Sequence, residues 1–127
     1  MINRNKKVQK FKVDTSSEPI ILIANSSWYL LHYRAFLIEE IRKSNFNLIA
    51  IAPKDKFSNK LSELCEFIEW RISTKNSFNI FSLFKPFFIL LNLLSKLKPK
   101  IIHSHTIKTN FLVSLITYLL NIKTILS

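Results

Sequence analysis

A chain of 127 residues, 48% of them apolar, is long enough for one domain with a single core. It contains no glycine, where average usage of about 7% would supply roughly nine. Functions built on a glycine loop are therefore disfavoured, and turns fall to Asn, Ser, Asp, Lys or Pro. Nineteen Lys and Arg against eight Asp and Glu leave a formal charge of +11, which draws the chain to anionic partners such as phospholipid, nucleic acid or phosphorylated substrates without choosing among them.

Residues 1–18 read as a basic flexible tail: Arg4, Lys6, Lys7, Lys10 and Lys12 stand in a polar stretch without apolar periodicity. The start is basic but has neither an apolar h-region nor a small-residue cleavage site, so no secretory signal is expected and the cytoplasm is the default compartment. The single Cys65 has no disulfide partner and no metal-ligand spacing, and reads as a small buried residue.

From Glu18 onward short β-rich runs alternate with longer helical ones. Residues 20–24, entered through Pro19, form an aliphatic run suited to a strand covered on both faces. Residues 29–43 predict one amphipathic helix with Leu30, Tyr33, Leu37 and Ile41 inward, capped by Ser26 or Ser27. A second strand over 48–52 stops at Pro53, a short helix starts at Ser58, and 67–72 reads as a weaker third strand.

Residues 78–97 are rich in Phe and Leu, but the uninterrupted apolar run from Phe87 to Leu91 falls far short of a span of about 20 residues. Lys85, Pro86, Asn92 and Ser95 further favour a buried or interfacial helix, capped by Ser77 or Asn79 and either begun or kinked at Pro86. Pro99 ends it, residues 100–103 form a strand, a helix apolar on nearly every face covers about 109–120, and 124–126 begins a fifth strand.

Five strands with helical crossovers predict a Rossmann-like α/β fold, a parallel sheet with flanking helices, with Asn25 and His105 at one carboxyl edge where ligands bind. His103 and His105 stand two apart at a strand end and share a face. A zinc site needs three or four ligands, and the remaining histidine, His32, stands alone on the first helix, so no metal is expected. The helix after His105, with Thr106 and Lys108, offers first-turn amides to an anion beside an imidazole, which makes His105 the better functional candidate and His103 a structural one. The opening loop sets Asn25, Ser26 and Ser27 at a helix start, with Trp28 and Tyr29 as flat surfaces, Trp28 being core or ligand platform, and Arg34 one to two turns in. No nucleophile with its base is evident, so the residues suggest binding and orientation more than covalent chemistry.

The blocks "ILIANSSWYLLHYRAFLIEEI", "LIAIAPKDKFSNKLSEL" and "KPKIIHSHTIKTN", in that order and spacing, resemble the N-terminal domain of family 4 glycosyltransferases of the GT-B fold. The resemblance is strongest to bacterial enzymes of capsule, lipopolysaccharide or lipid-linked glycan assembly. It implies that residues 19–127 are the acceptor-side half of a GT-B enzyme, with Asn25, Ser26, Ser27, Trp28 and Arg34 facing the cleft and His105 near the transferred sugar and phosphates; His103, Thr106 and Lys108 complete the expected acceptor and cleft set. It further implies retaining transfer without a bound metal, a nucleotide-sugar donor held by an absent C-terminal domain in cis or trans, and no turnover by this chain alone. A polyprenyl-phosphate-linked or saccharide acceptor is the expected partner, with the anionic inner face of the plasma membrane as a peripheral docking surface. The alternative is a small flavodoxin-like α/β binding or regulatory domain with an anionic partner; nucleic acid is not expected, since no RNA- or DNA-reading motif appears.

Overall fold

The computed structural model describes residues 18–72 and 80–127. The basic stretch 1–17 and the candidate caps Ser77 and Asn79 lie outside the described residues. The elements run β1 Ile20–Ile23, α1 Ser27–Tyr33, α2 Ala35–Lys43, β2 Leu48–Ala52, α3 Ser58–Leu64, β3 Glu66–Glu69, a 3-10 turn Ile80–Leu83 leading into α4 Phe84–Leu97, β4 Ile101–Ser104, α5 Ile107–Leu120 and β5 Thr124–Leu126.

All pairings are parallel, in the order β3-β2-β1-β4-β5. That is the Rossmann order; a flavodoxin-like sheet would run 2-1-3-4-5, so the topology excludes the alternative architecture. The strand order reverses between β1 and β4, whose ends meet where the His105 amide donates to Ile23 O at 2.8 Å. A crevice outside the strand ends at such a reversal is where sheets of this kind hold ligands.

Strand composition sorts the two layers. Ile21, Ile23, Ile49, Ile51 and Ile102 face α4 and α5, joining Leu90, Leu94, Leu112 and Ile116 in one core. The alternate residues Leu22, Ala24, Ala50 and Ala52 face α1, α2 and α3, with Leu30, Ile38 and Leu61. Period-two alternation of Ile with Ala thus gives one deep interface and one in which helices approach the sheet closely. Each fully buried Leu or Ile contributes about 1.5–3 kcal/mol.

The single helix expected over 29–43 is two helices. Arg34 leaves helical geometry at φ −125°, ψ 10° and serves as both the end of α1 and the start of α2. The turn rotates the inner face, so Ile38 is buried while Tyr33 is exposed. Side-chain periodicity does not register a one-residue break in which the Arg34 amide still reaches Leu30 O and Arg34 O still accepts from Ile38.

The third strand is displaced toward the N-terminus, ending at Glu69, and the last helix starts two residues earlier than its periodicity suggests. Trp70, whose amide still donates to Ala52 O at 2.9 Å, turns its side chain into the core, the indole donating to Pro86 O at 3.0 Å. Pro86 is the third residue of α4, where its missing N–H has no helical acceptor to lose, so it begins the helix rather than kinking it. Ile80–Leu97 is long and apolar enough to cross a membrane by length and composition, yet Leu83, Leu90 and Leu94 pack on the sheet. Cys65 is buried with its thiol pushed up to about 12 by burial, and its Sγ lies 3.7 Å from Leu61 O.

Candidate functional site

Four side chains converge at the strand-order reversal. His105 follows β4 and is fully buried. The Arg34 guanidinium reaches it from the α1–α2 break, Nε donating to His105 Nδ1 at 3.4 Å. Arg34 Nη2 donates to Tyr29 Oη at 3.4 Å, and the guanidinium lies 5.6 Å from the Tyr29 ring centre. The Tyr29 and His103 rings stand 5.5 and 4.1 Å from that of His105.

This packing sets the state of the imidazole. Burial, then the neighbouring His103 and Arg34, hold the His105 pKa down to about 4, and burial and Arg34 lower that of His103. A neutral ring whose Nδ1 accepts from Arg34 carries its proton on Nε2. That Nε2 is buried without a hydrogen-bond partner, as are Ser104 Oγ and Asn110 Oδ1. An orphaned buried donor costs about 1–3 kcal/mol, a cost that a ligand accepting from Nε2 would relieve. Two rings and a guanidinium pack against the imidazole.

Thr106, next in the chain, takes φ 77°, ψ 151°, a region open to glycine and strained for a β-branched residue. Its hydroxyl donates to Thr109 Oγ1 at 3.1 Å instead of capping α5. Lys108 is half-buried in the first turn of α5. His103 Nε2 lies 2.7 Å from Ser127 Oγ.

The first loop is built differently from an open anion cradle. Ser26 is the cap, its Oγ accepting from the Tyr29 amide at 3.1 Å. Ser27 is fully buried, donating to Pro53 O at 2.9 Å and meeting Ser58 Oγ at 2.9 Å. The Ser27 and Trp28 amides both donate to Asp55 Oδ2, at 3.1 and 3.2 Å. The carboxylate of Asp55 thus occupies the α1 start from another loop, while its Oδ1 accepts from the Phe57 amide at 2.8 Å. Trp28 is 41% exposed and packs on His32 and Tyr33, with ring centres 4.9 and 5.5 Å away. Asn25 is half-buried at the end of β1.

The structure therefore joins Arg34, His103 and His105, and gives the Ser26 and Ser27 hydroxyls hydrogen-bond partners at the start of α1. Asp55, Ser104 and Asn110 escaped the sequence reading, whereas Tyr29 stands in it beside Trp28 as a flat surface of the opening loop. Asp55 shows in sequence only as a carboxylate between Lys54 and Lys56 after Pro53, and nothing local indicates that it reaches back 28 residues to Ser27. Among the described residues no three His, Cys, Asp or Glu side chains gather as a metal site.

A parallel sheet in Rossmann order, with a buried histidine at its strand-order reversal, defines the class: one Rossmann-like α/β half. Residues 19–127 match the family described as glycosyl transferase 4-like, and the chain belongs to that family. A search of curated protein sequences gives no match. Among solved structures it is similar to a glycosyltransferase from Rickettsia africae, at TM-score 0.67 and 16% identity over 87% of this chain and 29% of that one. It is likewise similar to MurG of Acinetobacter baumannii, at TM-score 0.65 and 12% identity over 87% of this chain and 34% of that one. A UDP-GlcNAc 2-epimerase from Neisseria meningitidis, bound to UDP-GlcNAc, matches at TM-score 0.61 and 14% identity over 85% of this chain and 31% of that one. These likenesses show the fold, one Rossmann-like half of GT-B, and the chain spans about a third of the length of each.

Proposed function

We propose that this chain is the acceptor-side half of a retaining glycosyltransferase that passes a sugar from a nucleotide-sugar to a polyprenyl-phosphate-linked or saccharide acceptor in cell-envelope glycan assembly. The observation that carries the reading is His105: a neutral imidazole with an unpartnered Nε2–H at the strand-order reversal of a glycosyltransferase-family sheet. A preorganised donor of this kind stabilises charge developing on a sugar hydroxyl or phosphate oxygen during transfer. The first-turn amides of α5, with Thr106 and Lys108, add positive potential beside it, and Asn25 and the exposed Trp28 at the start of α1 are the residues offered to an acceptor. No metal or cofactor is assigned to this chain; the nucleotide-sugar binds a C-terminal domain supplied in cis or trans, and the work takes place at the cytoplasmic face of the membrane.

The test is sugar transfer from radiolabelled nucleotide-sugar to lipid-linked acceptor, by this chain alone and by the chain joined to a donor-binding domain. Transfer is expected only from the joined form, and His105→Ala should slow it by roughly 100-fold, the scale of losing one charge-stabilising donor. Turnover by the chain alone, or full activity of His105→Ala, overturns the reading.

A further inference from the structure

Each nitrogen of the Arg34 guanidinium is engaged within the protein. Nη1 donates to Tyr33 O at 3.1 Å, Nη2 to Tyr29 Oη at 3.4 Å and Nε to His105 Nδ1 at 3.4 Å. The guanidinium carbon also lies 5.6 Å from the centre of the Tyr29 ring. A planar fork bonded at every nitrogen has a fixed orientation, and that orientation aims Nε–H at the imidazole. A lysine ammonium, a single point of charge, cannot hold three acceptors so spread.

The chain bends to make this contact. Arg34 leaves helical geometry at φ −125°, ψ 10° between α1 and α2, while its amide and carbonyl keep their bonds to Leu30 O and the Ile38 amide, at 3.0 and 2.9 Å. His105 is tied to the central strand by its own amide, which donates to Ile23 O at 2.8 Å. Fork and ring are thus both set by backbone hydrogen bonds.

A guanidinium donates and cannot accept. An Nδ1–H tautomer of His105 would set N–H against N–H and forfeit a hydrogen bond from a charged donor, which biases the ring toward Nε2–H by roughly 10- to 100-fold. Nothing at the other nitrogen opposes this, since Nε2 is buried without a partner. His32 shows the opposite case: its Nδ1 lies 2.8 Å from Trp28 O, a carbonyl that only accepts, so its proton sits on Nδ1.

We infer that Arg34 is a positioning residue that locks His105 as the Nε2–H tautomer, so that the site offers a reacting oxygen a hydrogen-bond donor and no base. This rests on the reading of His105 proposed above and adds what the ring can do. It binds an oxygen through that oxygen's lone pair, as on a phosphate, and cannot take the proton of an attacking hydroxyl at Nε2. Arg34 itself works through the ring and touches no ligand.

Nitrogen NMR of the isotope-labelled chain at neutral pH reads the tautomer of each of its three histidines, because protonated and unprotonated ring nitrogens resonate far apart. His105→Gln identifies the His105 signals. Wild type is expected to show only Nε2–H at His105, and Arg34→Met, which removes every donor of the fork, should raise the Nδ1–H form by roughly ten-fold or more. An Nδ1–H form in wild type, or an unchanged ratio in Arg34→Met, overturns the proposal. Should Arg34→Met not fold, wild type decides: scalar coupling between Arg34 Nε and His105 Nδ1 across their hydrogen bond supports the lock, and its absence overturns it. No sugar transfer enters these measurements, so they and the glycosyltransferase reading can fail separately. In the form joined to a donor-binding domain, His105→Ala with Arg34→Met should transfer no more slowly than His105→Ala alone; additive losses would make Arg34 a contact of the ligand and overturn its positioning role.

Discussion

His105 is the residue at which burial, charge and chemistry meet, and its protonation is a stability statement. Its folded pKa lies near 4, below the ordinary 6.5, so between those values the unfolded chain binds the proton more readily than the folded one. The contribution of a neutral His105 is therefore complete above about pH 6.5 and is lost as pH falls toward 4. Thermal unfolding of wild type should show a steeper loss of Tm across that window than His105→Gln; parallel curves would show that His105 is not held neutral. The neighbouring Thr106 shows why part of this site was hidden. In a chain without glycine, left-handed positions fall to Asn45, Lys98 and Asn121 after helices, the turn-forming types that composition led one to expect. The fourth, Thr106, is a β-branched residue whose identity gives no sign of φ 77°. Strain there is of order 1–3 kcal/mol, and alanine keeps the β-carbon that causes it while glycine removes it. Thr106→Gly should thus unfold at higher urea than Thr106→Ala, by the equivalent of about 1 kcal/mol after the entropic cost of glycine. The reverse order would mean that the conformation is unstrained.

At the scale of elements, the central strands were legible because they are short aliphatic runs with Pro or Asn near their ends. What was not legible is how one loop closes another. The α1 start looked like an open row of amides, and the structure fills it with Asp55 from the β2–α3 loop. A carboxylate bonded to two helix amides and to Phe57 N on the far side locks α1 to α3, and its removal leaves three donors without their acceptor. Asp55→Ala should cost about 2 kcal/mol in urea unfolding, the upper range for a lost helix cap. Ser27→Ala, in the same buried network, should cost about 1–3 kcal/mol without changing acceptor affinity in the joined enzyme. A Ser27→Ala enzyme with native stability and weakened acceptor binding would restore the loop as a ligand site. The Arg34 break was hidden for a related reason: its purpose is tertiary, carrying the guanidinium over Tyr29 to His105, whereas the pattern of residues 29–43 speaks only of helix.

For the whole molecule, the strand order ranks the parts by how firmly each is held. β1 is paired on both edges, by β2 and β4, and β2 is buried at every position. β5 is paired by β4 alone, and its Ile125 and Leu126 are exposed at 47% and 49%. Local opening is easiest where apolar contacts are few and backbone bonds face solvent. Amide exchange should accordingly be slowest in residues 21–23 and 49–51, approaching the rate set by global unfolding, and fastest in the strands at Thr124–Leu126. The site straddles this gradient. His105 hangs on the firm strand pair through its amide bond to Ile23 O, while His103 and Asn110 are tied to Ser127 beside the loose edge. Opening of β5 therefore frees the ring packed on His105 without disturbing the strand that carries it. Should β5 amides instead exchange as slowly as those of β1, the edge strand would be held as firmly as the centre of the sheet, and His103 with it.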